Sequence, residues 1–102
     1  MNQYNENKRR HGLWEVYHED GQLAKRADYQ DGKVHGRYEH YHDNGQLKYR
    51  CNYKHGKRHG VFESFWDNGQ LEFRINYTND DLYGLFESYK LNGQLELAEF
   101  HI

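Results

Sequence analysis

Proline is absent from this chain of 102 residues, and cysteine occurs once, at Cys51. The first absence suits long, uninterrupted hydrogen-bonded ladders, because no residue lacks its backbone donor. The second excludes an internal disulfide and a zinc site built on several thiolates. No apolar run approaches the ~20 residues that a membrane-spanning helix needs. The opening MNQYNENKRR lacks the apolar stretch of a secretory signal, so a soluble, cytoplasmic protein is expected. Large aliphatic side chains are scarce too: Leu, Ile, Val and Phe make up about a fifth of the residues, and mean hydropathy is -1.32. That composition borders on disorder. Against it stand a net charge of only -2 and an aromatic content of 17%, including ten Tyr. The expectation is a tyrosine-rich surface over a thin core.

The sequence also repeats itself. DNGQLKYR at 43–50 returns as DNGQLEFR at 67–74, preceded by EDGQLAKR at 19–26 and followed by LNGQLELA at 91–98. Its glycines, Gly21, Gly45, Gly69 and Gly93, keep a step of 24, as does a second column of Gly12, Gly36, Gly60 and Gly84. Self-similarity at a fixed step signals stacked structural units. Asp20-Gly21, Asn44-Gly45, Asn68-Gly69 and Asn92-Gly93 alternate with Asp31-Gly32 and His55-Gly56. Such dipeptides favour type I′ hairpin turns, where both central residues need positive φ. The expected fold is therefore all-β, a single-layer antiparallel meander of four 24-residue hairpin repeats and about eight strands, twisted or curled. It occupies residues 12–102, with residues 1–11 as an N-terminal arm or partial repeat.

A two-residue turn at Asp20-Gly21 sets Glu15 opposite Arg26, and in the next units Glu39 opposite Arg50 and Glu63 opposite Arg74. Opposite charges directly across a strand pair contribute ~0.2–1 kcal/mol each. The same register sets Gly12, Gly36 and Gly60 opposite Tyr29, Tyr53 and Tyr77, the aromatic cover that strand glycines often receive. Alternation then sorts the two faces. One collects Trp14, Leu23, Ala27, Tyr29, Tyr38, Leu47, Tyr49, Cys51, Tyr53, Phe62, Trp66, Leu71, Phe73, Ile75, Tyr77, Phe86, Leu95 and Leu97, and is expected to be buried. The other carries the Glu–Arg ladder and an aromatic column of Tyr17, Tyr41, Phe65 and Tyr89.

Gly-x-(Trp/Tyr/Phe)-x-x-(Tyr/Phe)-x-x-Asn-Gly-Gln-Leu followed by Tyr-x-x-Gly-Lys resembles the bacterial variant of the MORN repeat. The pattern is carried by GLWEVYHEDGQL with YQDGK, GRYEHYHDNGQL with YKHGK, GVFESFWDNGQL and GLFESYKLNGQL. It departs at YTNDDLY, where Asp80 replaces the turn glycine. The resemblance implies an elongated β-meander that binds proteins or, in some eukaryotic members, acidic lipids, and it links the chain to antitoxin-like proteins.

Catalytic and metal readings find little support in the residues. His11, His35 and His59 recur at equivalent positions, but equivalent positions in successive hairpins lie about 9–10 Å apart. Zinc requires nitrogens about 2 Å away on several sides. His40 and His42 form at most a weak pair. An arginine opposite a glutamate keeps it ionised rather than proton-ready, and Cys51 shares a column with Ala27 and Ile75. No cofactor, metal or catalytic residue is expected. Charge, by contrast, is polarised. Residues 1–58 hold 12 of the 14 Lys and Arg against 8 of the 16 Asp and Glu, a balance of +4, and the remainder carries −6.

The expectation is a non-enzymatic protein-binding module acting as a small inhibitor of a bacterial partner by surface occlusion, of antitoxin, immunity or phage anti-defence type. The binding residues would be Tyr17, Tyr41, Phe65, Tyr89, Glu39, Arg50, Glu63 and Arg74, with Lys57 and Arg58 steering association. The alternative is nucleic-acid or anionic-surface binding through the basic half with Tyr17 and Tyr41. An open aromatic face exceeds what monomers usually expose, so the sheet curls on itself, a second copy covers it, or a partner does.

Overall fold

Residues 2–101 are described in a computed structural model of the chain. Among the described residues ten strands and no helix make up the fold: β1 (Gln3–Tyr4), β2 (Arg10–Tyr17), β3 (Leu23–Gln30), β4 (Lys33–Tyr41), β5 (Leu47–Lys54), β6 (Lys57–Arg58), β7 (Gly60–Phe65), β8 (Leu71–Thr78), β9 (Asp81–Tyr89) and β10 (Leu95–His101). No helix among the described residues is long and apolar enough to cross a membrane. The strands form one antiparallel sheet in sequence order, with short β6 paired to β5 beside β7. The eight long strands are those expected from the turn spacing; β1 and β6 add a short piece each.

Gly12, Gly36 and Gly60 lie opposite Tyr29, Tyr53 and Tyr77, and Glu15, Glu39 and Glu63 lie opposite Arg26, Arg50 and Arg74, as the register argument requires. One of these glycines does more than yield to an aromatic ring. Gly36 has φ 109°, and the β3–β4 ladder changes register between Ala27 and Tyr29 beside it. The strand bulges there, in a conformation that a side chain resists.

The two kinds of turn differ, which corrects the uniform type I′ expectation. Asp31 and Gly32, His55 and Gly56, and Asn79 and Asp80 all have positive φ at both central positions, as type I′ requires. Asp80 thus keeps the turn without glycine. Its Oδ1 accepts from Arg58 N at 2.7 Å and Arg58 Nε at 3.0 Å, and its own N–H donates to Arg58 O at 3.0 Å. In the repeated Asn-Gly turns only the glycine has positive φ. There Gly45 N donates to His42 O at 2.9 Å and His42 N to Gln46 O at 2.8 Å, the three-residue loop with a glycine bulge. The Asn is needed for its side chain: Asn44 Oδ1 accepts from Gln46 N at 2.9 Å. Asp20, Asn68 and Asn92 do the same at 2.9 Å.

The extra loop residue shifts the register near each tip, so Tyr17, Tyr41, Phe65 and Tyr89 face Leu23, Leu47, Leu71 and Leu95. A one-residue slip moves a side chain to the other face. Those leucines therefore join the aromatic column, not the face to which simple alternation assigned them. The bulge is visible at Glu72, which turns to the opposite side and accepts from Ser64 Oγ at 2.8 Å.

Stacking between units explains the rest of the repeated peptide. Asn44 Nδ2 donates to Asp67 O at 2.7 Å, and Asn68 Nδ2 to Leu91 O at 3.1 Å, each one unit further on. Gln46 lies over the next tip, where a Cβ at Gly69 would come within 2.7 Å of Gln46 Oε1. At the first edge, the Asn2 side chain imitates a strand. Its Oδ1 accepts from Glu15 N at 2.7 Å and its Nδ2 donates to Glu15 O at 3.0 Å, blunting an otherwise open ladder.

The molecule measures 47 × 37 × 12 Å, one sheet thick, so the sheet does not curl back to cover itself. Among the described residues only Ala27, Cys51 and Ile75 are buried apolar side chains, in one column. The expected buried face is thus half-buried, corrected by the lack of a second layer. Across it runs a ribbon of stacked rings: Tyr38 to Tyr49 at 5.9 Å, Tyr49 to Phe62 at 5.2 Å, Phe62 to Phe73 at 5.7 Å and Phe73 to Phe86 at 6.0 Å. Such pairs contribute ~0.5–1.5 kcal/mol each beyond area burial, and two of the four, Tyr49–Phe62 and Phe73–Phe86, join one hairpin to the next.

Candidate binding surface

The opposite face carries the charge ladder, since alternation along β2, β4, β7 and β9 points Glu15, Glu39, Glu63 and Glu87 the same way. It is two runs rather than one. Arg26 lies between Glu15 and Glu39 at 3.5 and 3.7 Å. Glu63 accepts from Arg50 Nε at 2.9 Å and Arg74 Nε at 3.1 Å, and Arg74 reaches on to Glu87 at 3.6 Å. Glu39 and Arg50 face each other in the backbone register, yet Arg50 turns to the following hairpin. The expected side-chain pair across their own hairpin is therefore replaced by one between units.

A shallow cleft of about 370 Å³ opens at this break, lined by Arg37, Glu39, Arg50, Asn52, Val61 and Glu63. Glu39 Oε1 is buried there without a hydrogen bond. Glu63 behaves differently. Burial pushes its carboxyl upward, but the hydrogen bonds and charges of Arg50 and Arg74 outweigh that and hold it below the usual carboxylate range.

Beside the ladder stands the aromatic column, anchored to it by its own bonds. Tyr17 Oη donates to Glu15 Oε1 at 3.4 Å and Tyr89 Oη to Glu87 Oε2 at 3.0 Å, while the Arg50 guanidinium lies 5.8 Å from the Phe65 ring. The bond to Glu87 raises the Tyr89 hydroxyl above its ordinary value; burial, then the Glu39 carboxylate, raises Tyr41. Tyr17 is 55% exposed, and Tyr41, Phe65 and Tyr89 are half-buried. Leu23, Leu47 and Leu71 pack beside them as a half-buried apolar row that simple alternation missed.

Lys57 and Arg58 lie elsewhere. They flank the His55-Gly56 turn, at the strand ends away from the Asn-Gly tips. Lys57 is exposed. Arg58 is engaged by Asp80 and lies 4.2 Å over the Tyr77 ring, so its first role is structural. The histidines have structural partners of their own: His35 and His55 lie 4.8 Å apart ring to ring, His42 Nε2 bonds to Phe65 O at 2.9 Å, and His40 stacks on Tyr49 at 5.1 Å. Among the described residues no three His, Cys, Asp or Glu side chains converge as metal ligands would. Burial raises the Cys51 thiol to about 11, far from a reactive thiolate.

Stacked hairpins, an open face and a prearranged row of aromatic and charged groups define a repeat-built β-sheet binding module. The chain belongs to the MORN repeat family: the model of the MORN repeat variant matches residues 10–31, 34–55 and 58–79. The fourth hairpin lies outside the matched segments. Repeats of this family generally mediate protein or membrane binding, and their proteins are typically binding modules rather than enzymes. Searches of curated proteins and of solved structures return no match.

Proposed function

We propose that the chain is a protein-binding module that works as a small inhibitor, covering a surface of a bacterial partner protein in the manner of an antitoxin, immunity or phage anti-defence protein. The observation that carries this reading is the column of Tyr17, Tyr41, Phe65 and Tyr89 tied to the ladder by Glu15, Glu87 and Arg50. Aromatic groups held in advance lose little freedom on docking and are favoured as hot spots. Occlusion is the mode that suits the shape, because a sheet 12 Å thick and 47 Å long offers a plane to lay against a partner.

Nucleic-acid binding through the basic half would need stacking rings and phosphate contacts in one place. Tyr17 and Tyr41 lie beside the Asn-Gly tips, whereas Lys57 and Arg58 lie at the opposite strand ends. That separation favours the protein partner.

The test begins with capture of the partner from bacterial lysate and its identification by mass spectrometry. Tyr41→Ala and Phe65→Ala should each weaken binding by ~1–2 kcal/mol and relieve inhibition of the captured protein, while circular dichroism stays unchanged. Charge reversal at Lys57 should slow association and alter its salt dependence. Two folded variants that bind and inhibit normally would remove this face from the mechanism.

A further inference from the structure

The aromatic face has charges of its own, and they are sorted by sign along the strand order. Arg10 on β2 lies 4.7 Å over Trp14 and Lys25 on β3 lies 6.0 Å over Tyr38, while Arg58, over Tyr77 of β8, is already paired with Asp80. Lys48 on β5 belongs to the same side, brought there by the tip bulge, and with Lys25 it lowers His40, after burial. Up to β6 every one of these groups is basic. Past β7 the sign reverses. Glu72 on β8 is bonded to Ser64 on this face. The same bulge turns Glu96 on β10, and Glu99 lies opposite Phe86. Glu99 stands where the three preceding units place Ala27, Cys51 and Ile75, their buried column. Glu99 is exposed there and lies 3.6 Å from His101 Nε2 of its own strand, and a sheet laid over this face would bring a further cation to it.

We propose that a second copy of this chain covers the aromatic face, the two sheets packed face to face about a two-fold axis running parallel to the strands near β5. Such an axis reverses the strand order of one layer over the other. The basic strands β2 and β3 of each copy then lie over the acidic strands β8 to β10 of its partner. Because strand direction is kept, the Asn-Gly tips of both copies are at one end, and Lys25 comes level with Glu72 and Glu96 of the partner. Lys48 alone approaches its own copy, and Glu72 lines the same cleft beside it. The alternative axis, along the strand order, would set basic over basic and is disfavoured by the same charges.

Area supports the occupant. The face spans 47 × 37 Å, and half of that already exceeds the ~800 Å² per partner of a standard interface. Two sheets at the usual ~10 Å spacing would bury the ring ribbon of both layers as a sandwich core. The ladder faces remain outward, so this inference does not depend on the partner-binding reading and is tested without the partner.

Sedimentation equilibrium should find a dimer at ~100 µM protein. Lys25→Glu and Glu72→Lys should each raise the dimer dissociation constant at least about fivefold, and the two together should recover most of the loss. Glu96→Lys, on an exposed strand, replaces Glu72→Lys if circular dichroism shows that variant misfolded. A monomer at every concentration overturns the proposal. So does a dimer that ignores both single reversals, or one that the paired reversal fails to rescue.

Discussion

Glu63 receives two guanidinium groups at hydrogen-bond distance, whereas Glu39 receives none. Double-mutant cycles should separate them. Coupling between Arg50 and Glu63, and between Glu63 and Arg74, should reach ~0.3–1 kcal/mol each, while the Glu39–Arg50 cycle should give a value near zero. A comparable Glu39–Arg50 coupling would contradict the break in the ladder. The same carboxylate sets an acid dependence. Its folded pKa is depressed, so its contribution is complete above the unfolded value of about 4.3 and is lost as pH falls through the folded one. Glu63→Gln should therefore flatten the acid limb of a urea-denaturation profile taken from pH 6 to about pH 3. At this scale the sequence was legible for which backbones pair, since charge and ring complementarity constrain register. It was silent on which of two neighbours a long arginine would choose, because both are within reach of the same stem.

A single dipeptide, Asp-Gly, serves two turn geometries, at Asp20-Gly21 and at Asp31-Gly32, and this is where element-level reading failed. Glycine supplies the positive φ in both, so composition cannot separate them. What separates them is the Asp or Asn side chain accepting from the Gln two residues on, which the repeated Asn-Gly-Gln spelling does contain. Missing it displaced four leucines to the wrong face. Asn68 illustrates the load on that residue: it holds Gln70 N at 2.9 Å in its own turn and Leu91 O at 3.1 Å in the next. Asn68→Ala should cost ~1–2 kcal/mol, and Asn68→Asp should cost less, keeping the turn bond while losing the donor to the next unit. Asp20 already shows the first half of that arrangement, accepting from Gln22 N at 2.9 Å. Equal losses for the two variants, measured by urea denaturation, would mean that the link between units contributes nothing.

For the molecule as a whole, stability is distributed along the strand order, each hairpin supported only by its neighbours. Amide exchange should be slowest in β4, β5 and β7 and fastest in β10, whose residues are exposed from Leu95 to Phe100. Uniform protection across the sheet would indicate all-or-none opening instead. The sequence could foretell a single layer because local periodicity determines strands and turns. What covers that layer lies beyond any local rule, and only the placement of charges in three dimensions bears on it. The strictly sequential strand order has a kinetic consequence as well. No rung of the long ladders joins residues more than 17 positions apart, the span from Gly12 to Tyr29 or from Gly84 to His101. Each strand therefore finds its neighbour by closing a short loop, at small entropic cost. An all-β chain wired this way has the local contact pattern that lets helical bundles fold quickly, and its refolding should outpace that of sandwiches of equal length, whose strands must find partners far along the chain.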